Sequence, residues 1–322
     1  MSICNAVFEG GGVKGIGHVG AVAALEKAGY EFHTVAGSSA GAIVAALIAA
    51  DYRGSEMHEI MGSLDYLKFR QSDLLDRLGT SGKVLSILLH YGIYQADYVE
   101  KWLNNLLMVK HTACFRDVKN PDGSYRLYVT SVDLSARELL IFPNDLTRFQ
   151  IDCDSFPIAT AVRMSMSIPI YYEPYSLKDG NGVVHYMVDG GLLSNYPIGI
   201  LDDGKQKLAH PTFGFKFIAN RDEKESKVKK VHHVLDYMKQ IISTLLDAYE
   251  NEEISRAAGD QERSILIPSK ILYQGETKAI STTDFDISQE ESEALYENGV
   301  AAAEAFLEHW NFAHWLRTYR KM

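Results

Sequence analysis

Thr34-Val35-Ala36-Gly37-Ser38-Ser39-Ala40-Gly41-Ala42-Ile43-Val44-Ala45-Ala46-Leu47-Ile48 is the stretch that decides the fold. Thr34-Val35-Ala36 reads as a strand and Ala42 to Ile48 as a helix, with Gly37-x-Ser39-x-Gly41 between them. A strand that turns directly into a helix makes a strained corner, and the corner lifts the central serine hydroxyl clear of the backbone. Glycines two residues before and after the serine remove the Cβ atoms that would clash there. The serine also meets a helix N-terminus, where unpaired N–H groups and the dipole favour negative charge. Ser39 is therefore a candidate nucleophile. Ser38 or Ser39 acting only as a helix cap is the competing reading, and the motif alone does not separate the two.

Upstream, Ala6-Val7-Phe8 is a short strand that ends in Glu9-Gly10-Gly11-Gly12-Val13-Lys14-Gly15. A helix of small residues follows, Ile16 to Ala28, closed by Gly29. Strand, loop, helix, strand, turn, helix is a βαβα pattern, which implies an α/β fold with a mostly parallel sheet covered by helices. Gly10 to Gly15 formally matches a dinucleotide fingerprint, but that site needs an acidic residue at the end of the second strand. Here the second strand ends in Gly37-Ser38-Ser39, and Glu31 precedes its apolar core. A glycine run at a helix start also forms a nest of N–H groups that binds anions. Beside a serine nucleophile, such a nest stabilises the oxyanion of a tetrahedral intermediate. Lys14 reads as a solvated loop charge or as a contact for an anionic head group.

Downstream, about 53–116 reads mostly helical, an insertion that either lids a site or simply packs on the sheet. Gly82 to Tyr91 is one apolar helical run within it. Asp97 has the position of an N-cap, with Glu100 at capping-box spacing. Leu127 to Leu134 and Leu139 to Phe142 are strand runs, and Phe156 to Ser165 is a helix. The strand Val183 to Val188, introduced by the turn Asp179-Gly180-Asn181-Gly182, ends in Asp189-Gly190-Gly191. An aspartate there projects into a site at the sheet edge or belongs to an Asp-Gly turn. Thr212 to Ile218 is the last strand read from the sequence. Asn220 to Lys230 is a charged loop, and helices around His232–Ala258 and Gln289–Tyr319 follow. Phe306, Trp310 and Trp315 pack an aromatic face on the body or, with Arg317, Arg320 and Lys321, form an interfacial patch.

The 322 residues are 46% hydrophobic and 23% charged, a soluble globular balance with ample length for a core. A formal net charge of −10 argues against a nucleic-acid partner and against general attraction to anionic membranes. Cys4, Cys114 and Cys153 are too scattered for a disulfide framework or a metal site and suit a reducing, cytoplasmic setting. No signal-peptide pattern opens the chain. Phe32 to Ala50 carries no formal charge over about the length of a membrane span. It divides into strand, turn and helix, and so reads as protein interior. A serine nucleophile needs a base. Of the eleven histidines none has a distinguishing setting: His18 is read as facing out of the first helix, and His185 lies four residues before Asp189. Asp189 acting directly on Ser39 is the simpler arrangement.

Glu9 to Gly15, Gly37 to Gly41 and Asp189-Gly190-Gly191, in that order, resemble the three signatures of the patatin-like phospholipases. Gly92-Ile93-Tyr94, Val132-Asp133-Leu134, Ser165-Met166-Ser167-Ile168-Pro169 and Asn195-Tyr196-Pro197 extend the resemblance over about residues 3–220. It implies a three-layer α/β/α fold and a Ser-Asp dyad without histidine. Ser39 would be the nucleophile, Asp189 the base, and the N–H groups of Gly10, Gly11 and Gly12 the oxyanion hole. Residues 1–220 would form the catalytic domain, and 221–322 a helical segment packed on it. The implied activity is a serine hydrolase that cleaves fatty-acyl esters of phospholipids or lysophospholipids, with transient membrane contact and no cofactor or metal. An α/β-hydrolase with a histidine base and a nucleotide-binding oxidoreductase are the alternatives. Glu9 replaces the frequent aspartate and Lys14 the frequent arginine. The second exchange loses the planar fork that binds phosphate bidentately.

Overall fold

The computed structural model describes residues 2–70, 86–202 except 88, 208–218, positions 231, 234, 236–238, 240–242, 244 and 245, and 259–320. Strand β1 (Ser2–Phe8) leads through the glycine loop into α1 (Ile16–Lys27), β2 (Tyr30–Gly37) and α2 (Ala40–Ala49). After α3 (Gly54–Gly62) come β3 (Gly92–Tyr94), α4 (Asp97–Val109), β4 (Leu127–Asp133), β5 (Glu138–Phe142) and α5 (Ile158–Ser165). Then follow β6 (Ile170–Tyr172), β7 (Tyr175–Lys178), β8 (Val184–Asp189) and β9 (Thr212–Ile218). The chain closes with β10 (Ser264–Pro268), β11 (Lys270–Tyr273), β12 (Glu276–Ala279), α6 (Gln289–His309) and α7 (Phe312–Tyr319).

The main sheet runs β10-β9-β1-β2-β4-β8-β7, with β5 also on β4. From β10 to β4 every pairing is parallel, while β5, β8 and β7 are antiparallel. The result is a mostly parallel sheet flanked by helices. Uncharged α2 is buried along its whole length, as its sequence requires.

The pairing around β4 positions the site. Val129 faces both Gly37 and Phe142, so β2 and β5 lie on opposite edges of β4. Ser131 faces both Leu140 and Asp189, so β8 shares the edge that β2 occupies. The two strands end toward each other, at Gly37 and Asp189, opposite residues of β4 only two apart.

Several local expectations change. Helix α4 starts at Asp97 with Ala96 as its cap; Glu100 accepts the Thr160 hydroxyl at 2.6 Å instead of closing a capping box. The insertion is not wholly helical, because β3 pairs with β6. Thr212–Ile218 is not the last strand, since β10 extends the main sheet beyond it and β11 and β12 form a hairpin. Asn311 breaks the final helix by capping α7 through the His314 N–H. Its aromatic face packs on the body: Phe306 and Trp310 each stand 5.2 Å from the Phe213 ring, and Trp315 Nε1 donates to the Gly259 carbonyl. The charged loop Asn220–Lys230, most of the His232–Ala258 helix and the start of the Gly82–Tyr91 run lie outside the described residues.

Helices α1 and α6 approach at backbone distance. A Cβ on Gly299 would stand 1.9 Å from the Gly17 carbonyl oxygen. Gly299→Ala is expected to destabilise the fold by about 1–3 kcal/mol, because neither helix backbone yields. A lowered midpoint of urea unfolding, with unchanged activity per folded molecule, is the result to look for.

Candidate active site

Ser39 sits two residues beyond β2, as the cap of α2, with φ 52° and ψ −125°, a left-handed strained corner occupied by a non-glycine residue. The turn closes only because both flanking glycines lack side chains. A Cβ on Gly37 would meet the Gly41 carbonyl oxygen at 2.3 Å, and one on Gly41 would meet that of Phe8 at 2.4 Å. The Ser39 side chain makes no capping hydrogen bond, so its hydroxyl is not spent on the helix. Ser38 is the structural serine: its Oγ lies 2.5 Å from Thr130 Oγ1 and donates to the Ser194 carbonyl.

Asp189 is buried against this corner. Its Oδ1 accepts the Gly191 N–H at 2.7 Å, and among the described residues its Oδ2 has no hydrogen-bond partner. Burial pushes the carboxyl up to about 7; the nearby Ser39 hydroxyl and the Gly191 N–H offset part of that penalty. Ser39 thus faces Asp189 closely enough to favour the carboxylate, from outside strict hydrogen-bond geometry.

The chain from Asp189 to Asn195 straps the three signatures together. It begins at the carboxylate, takes the Ser38 hydroxyl on the Ser194 carbonyl, and takes the Gly10 N–H on the Asn195 carbonyl at 3.1 Å. Asn195 Nδ2 also donates to the Gly10 carbonyl. Gly10 is pinned on both sides, and its N–H is already engaged. Gly12, at φ 54°, lines one cleft with Ser39. Among the described residues, the Gly11 and Gly12 N–H groups have no hydrogen-bond acceptor.

Beneath the loop, Glu9 accepts the Phe217 N–H at 2.6 Å and lies 3.6 Å from Lys216 Nζ, both side chains fully buried. A lysine inside a fully buried strand was the available signal for this pair. Nothing in their local sequence marks Ser165, Ser167 and Asn195 for the positions they hold here. Lys14 is not a solvated charge: it is buried, with its ammonium 5.0 Å from the Phe217 ring centre, and it does not line the Ser39 cleft.

That cleft is almost entirely apolar. Ile43, Met61, Tyr66, Phe69, Trp102 and Phe285 are among its walls, so Met61, Tyr66, Phe69 and Trp102 supply much of its cover. Its free space is about 20 Å³, room for one water. No histidine among the described residues lines it. His18 faces inward, contrary to the sequence reading. It is fully buried, donates from Nε2 to the Glu9 carbonyl at 2.9 Å, and is pushed down to about 3 by burial. His185 pairs through Nδ1 with Asp133 at 2.6 Å, on the order of 13 Å along the strand from Asp189. No cluster of metal-ligating side chains and no helix fit to cross a membrane occurs among the described residues.

These features together, a parallel sheet, a serine on a strand-to-helix corner and a glycine loop over an apolar cleft, are those of a lipid acyl hydrolase. The profile of the family "Patatin-like phospholipase" matches residues 6–202, and the chain belongs to that family. YqhO of Bacillus subtilis (strain 168) is 35% identical over 313 residues, covering 96% of this chain and 99% of its own. R571 of Acanthamoeba polyphaga mimivirus is 25% identical over 305 residues, covering 92% and 91%. Among solved structures, VipD from Legionella pneumophila superposes with a TM-score of 0.53 at 18% identity, over 95% of this chain and 66% of VipD. The type III effector ExoU gives 0.50 at 18%, over 96% of this chain and 53% of ExoU. The chain thus shares their fold while spanning about two thirds of one and half of the other. Family membership sets aside the dinucleotide-oxidoreductase reading.

The raised Asp189 pKa has a signed consequence for stability. The folded protein holds this proton more tightly than the free side chain, whose ordinary value is 3.8. Its contribution is complete below about pH 4 and is lost as pH rises through about 7. Asp189→Asn escapes that loss. Urea unfolding should show the variant gaining on the wild type between pH 5 and pH 8, with no further gain at higher pH.

Proposed function

We propose that the protein cleaves fatty-acyl esters of phospholipids or lysophospholipids with a Ser39–Asp189 dyad. The observation that carries this reading is the shared cleft: Ser39 and Gly12 face one apolar space, with the buried Asp189 carboxylate behind the serine. The acyl chain lies in that space and brings its ester carbonyl to Ser39. Asp189 takes the Ser39 proton as Oγ bonds to the carbonyl carbon, and the carbonyl oxygen becomes an oxyanion. The glycine loop receives it. The engaged Gly10 N–H leaves Gly11 and Gly12 as donors, and Gly10 as the residue that fixes their place. Collapse of the intermediate expels the alcohol, which takes the proton from Asp189 and leaves an acyl-serine. Water, deprotonated by Asp189, then releases the fatty acid. Displacement of Met61, Tyr66, Phe69 and Trp102 from the narrow cleft admits the chain, so these four side chains act as its cover. Lys14 has no step in this scheme.

Fatty-acid release from phospholipid vesicles is the direct test. Ser39→Ala and Asp189→Asn are each expected to lower kcat by at least about 10³-fold, as loss of a nucleophile or its base does. Replacing His185, which has no place in the scheme, should leave activity largely intact. Vesicle hydrolysis that survives Ser39→Ala sinks the proposal. Because the base must be ionised, kcat/KM rises with pH through about 7 along a single-proton limb.

Ile43 lines the cleft close to the nucleophile. Ile43→Trp fills space the acyl chain needs. It should reduce hydrolysis of a long-chain p-nitrophenyl ester by about tenfold or more relative to the acetate, in keeping with pocket steric discrimination of 10–200-fold. Equal effects on both esters would place the acyl chain elsewhere.

A further inference from the structure

The turn that leaves α5 touches both members of the dyad. Ser165 Oγ accepts the Ser39 N–H at 2.8 Å. Two residues on, the Ser167 carbonyl accepts the Asp189 N–H at 2.9 Å. Both serines are fully buried. Ser167 is itself clamped, because its Oγ donates to the Arg163 carbonyl at 2.8 Å and accepts from Arg163 Nη1 at 2.6 Å. Arg163 Nη1 also donates to the Glu173 carbonyl at 3.1 Å, which ties the turn to the chain beyond β6. Met166 and Ile168, which alternate with these serines, line the cleft. One short turn therefore spans nucleophile, base and acyl wall.

We propose that Ser165 is a positioning residue for the nucleophile. Ser39 precedes α2, so its N–H has no acceptor in the helix ladder; it points to Ser165 Oγ at the end of α5 instead. That N–H lies in a buried corner, where an unmade hydrogen bond is costly. The Ser165 oxygen satisfies it and holds the strained corner in place, which fixes Ser39 Oγ relative to the carboxylate and the glycine loop. Without this acceptor the corner relaxes. A shift of about 1 Å in a reacting group can cost about 10²-fold in rate. Ser165 touches neither substrate nor reacting atom, so its loss is read in kcat and not in binding.

The inference rests on Ser39 being the nucleophile. Ser165→Thr and Ser165→Val are nearly equal in shape and differ by the one oxygen that matters. Steady-state hydrolysis of a soluble acyl ester and the rate of Ser39 labelling by a fluorophosphonate are compared, with thermal unfolding as the control for folding. Ser165→Val is expected to lose about tenfold to hundredfold in kcat and in labelling rate, with KM within about twofold of wild type. Ser165→Thr should regain most of both. If Ser165→Val does not fold, Ser165→Ala against Ser165→Thr supplies the same contrast. Equal activity with and without the oxygen overturns the proposal, as does a loss confined to KM. The Ser39→Ala control separates the two readings. Activity surviving there removes the nucleophile assignment, whereas an inactive Ser39→Ala beside a fully active Ser165→Val or Ser165→Ala removes only the positioning role.

Discussion

The shared edge of β4 is the constraint on which the rest depends. Strand β2 stops at Gly37 opposite Val129, and β8 stops at Asp189 opposite Ser131. Because β8 continues the same edge that β2 leaves, only an antiparallel β8 has its end beside the end of β2. A parallel β8 on that edge would carry its last residue away from the corner. The antiparallel direction of β8 on that edge is therefore what brings Asp189 to the Ser39 corner. Residues Asp189 to Asn195, leaving that meeting point, reach Ser38 and Gly10 within one short strap.

Concentrating strain and buried charge at this point requires rigid surroundings. A non-glycine residue in the left-handed region costs on the order of 1–3 kcal/mol, and the Glu9–Lys216 pair and Asp189 add buried ionisable groups nearby. Removing one partner of a buried pair is expensive, which makes the Glu9 environment resistant to drift. Helix α2, inaccessible along its length, anchors the far side of the corner. The loop above Glu9 is thus fixed from below by the strand β9 backbone and from the side by Asn195.

The parts of this arrangement that depend on local chemistry were legible in the sequence. The Gly37–Gly41 corner, the glycine loop and the strand ending at Asp189 are each marked by residue type; each alone has a second reading, and their order in one chain narrows it. The parts set by tertiary packing were not. His18 looked exposed because a helix of small residues gives no apolar stripe from which to tell inside from outside, and α1 is in fact buried nearly all round. Ser165 and Asn195 are short polar residues whose roles come from partners more than a hundred residues away. Strand β10 is hard to read from sequence because Ser264–Pro268 is only five residues long. Asp97 shows the limit of capping patterns: a one-residue shift of the helix start freed Glu100 to bond Thr160 on α5 instead.

The absence of a histidine from the described cleft has a physical counterpart in the burial of Asp189. A carboxylate at its ordinary value near 3.8 is a feeble base toward a serine hydroxyl. Desolvation moves Asp189 to about 7, close to the value of about 6.5 that an unperturbed imidazole has in water. In the proposed mechanism the protein thus obtains the proton affinity of a histidine by withholding water from an aspartate. The same burial limits how many stabilising contacts the carboxylate can have. Among the described residues Oδ1 has one backbone donor and Oδ2 has none; further donors would pull the pKa back down. In the proposed mechanism this sparsely bonded carboxylate, which elsewhere would be a defect, is what gives the dyad a base matched to neutral pH.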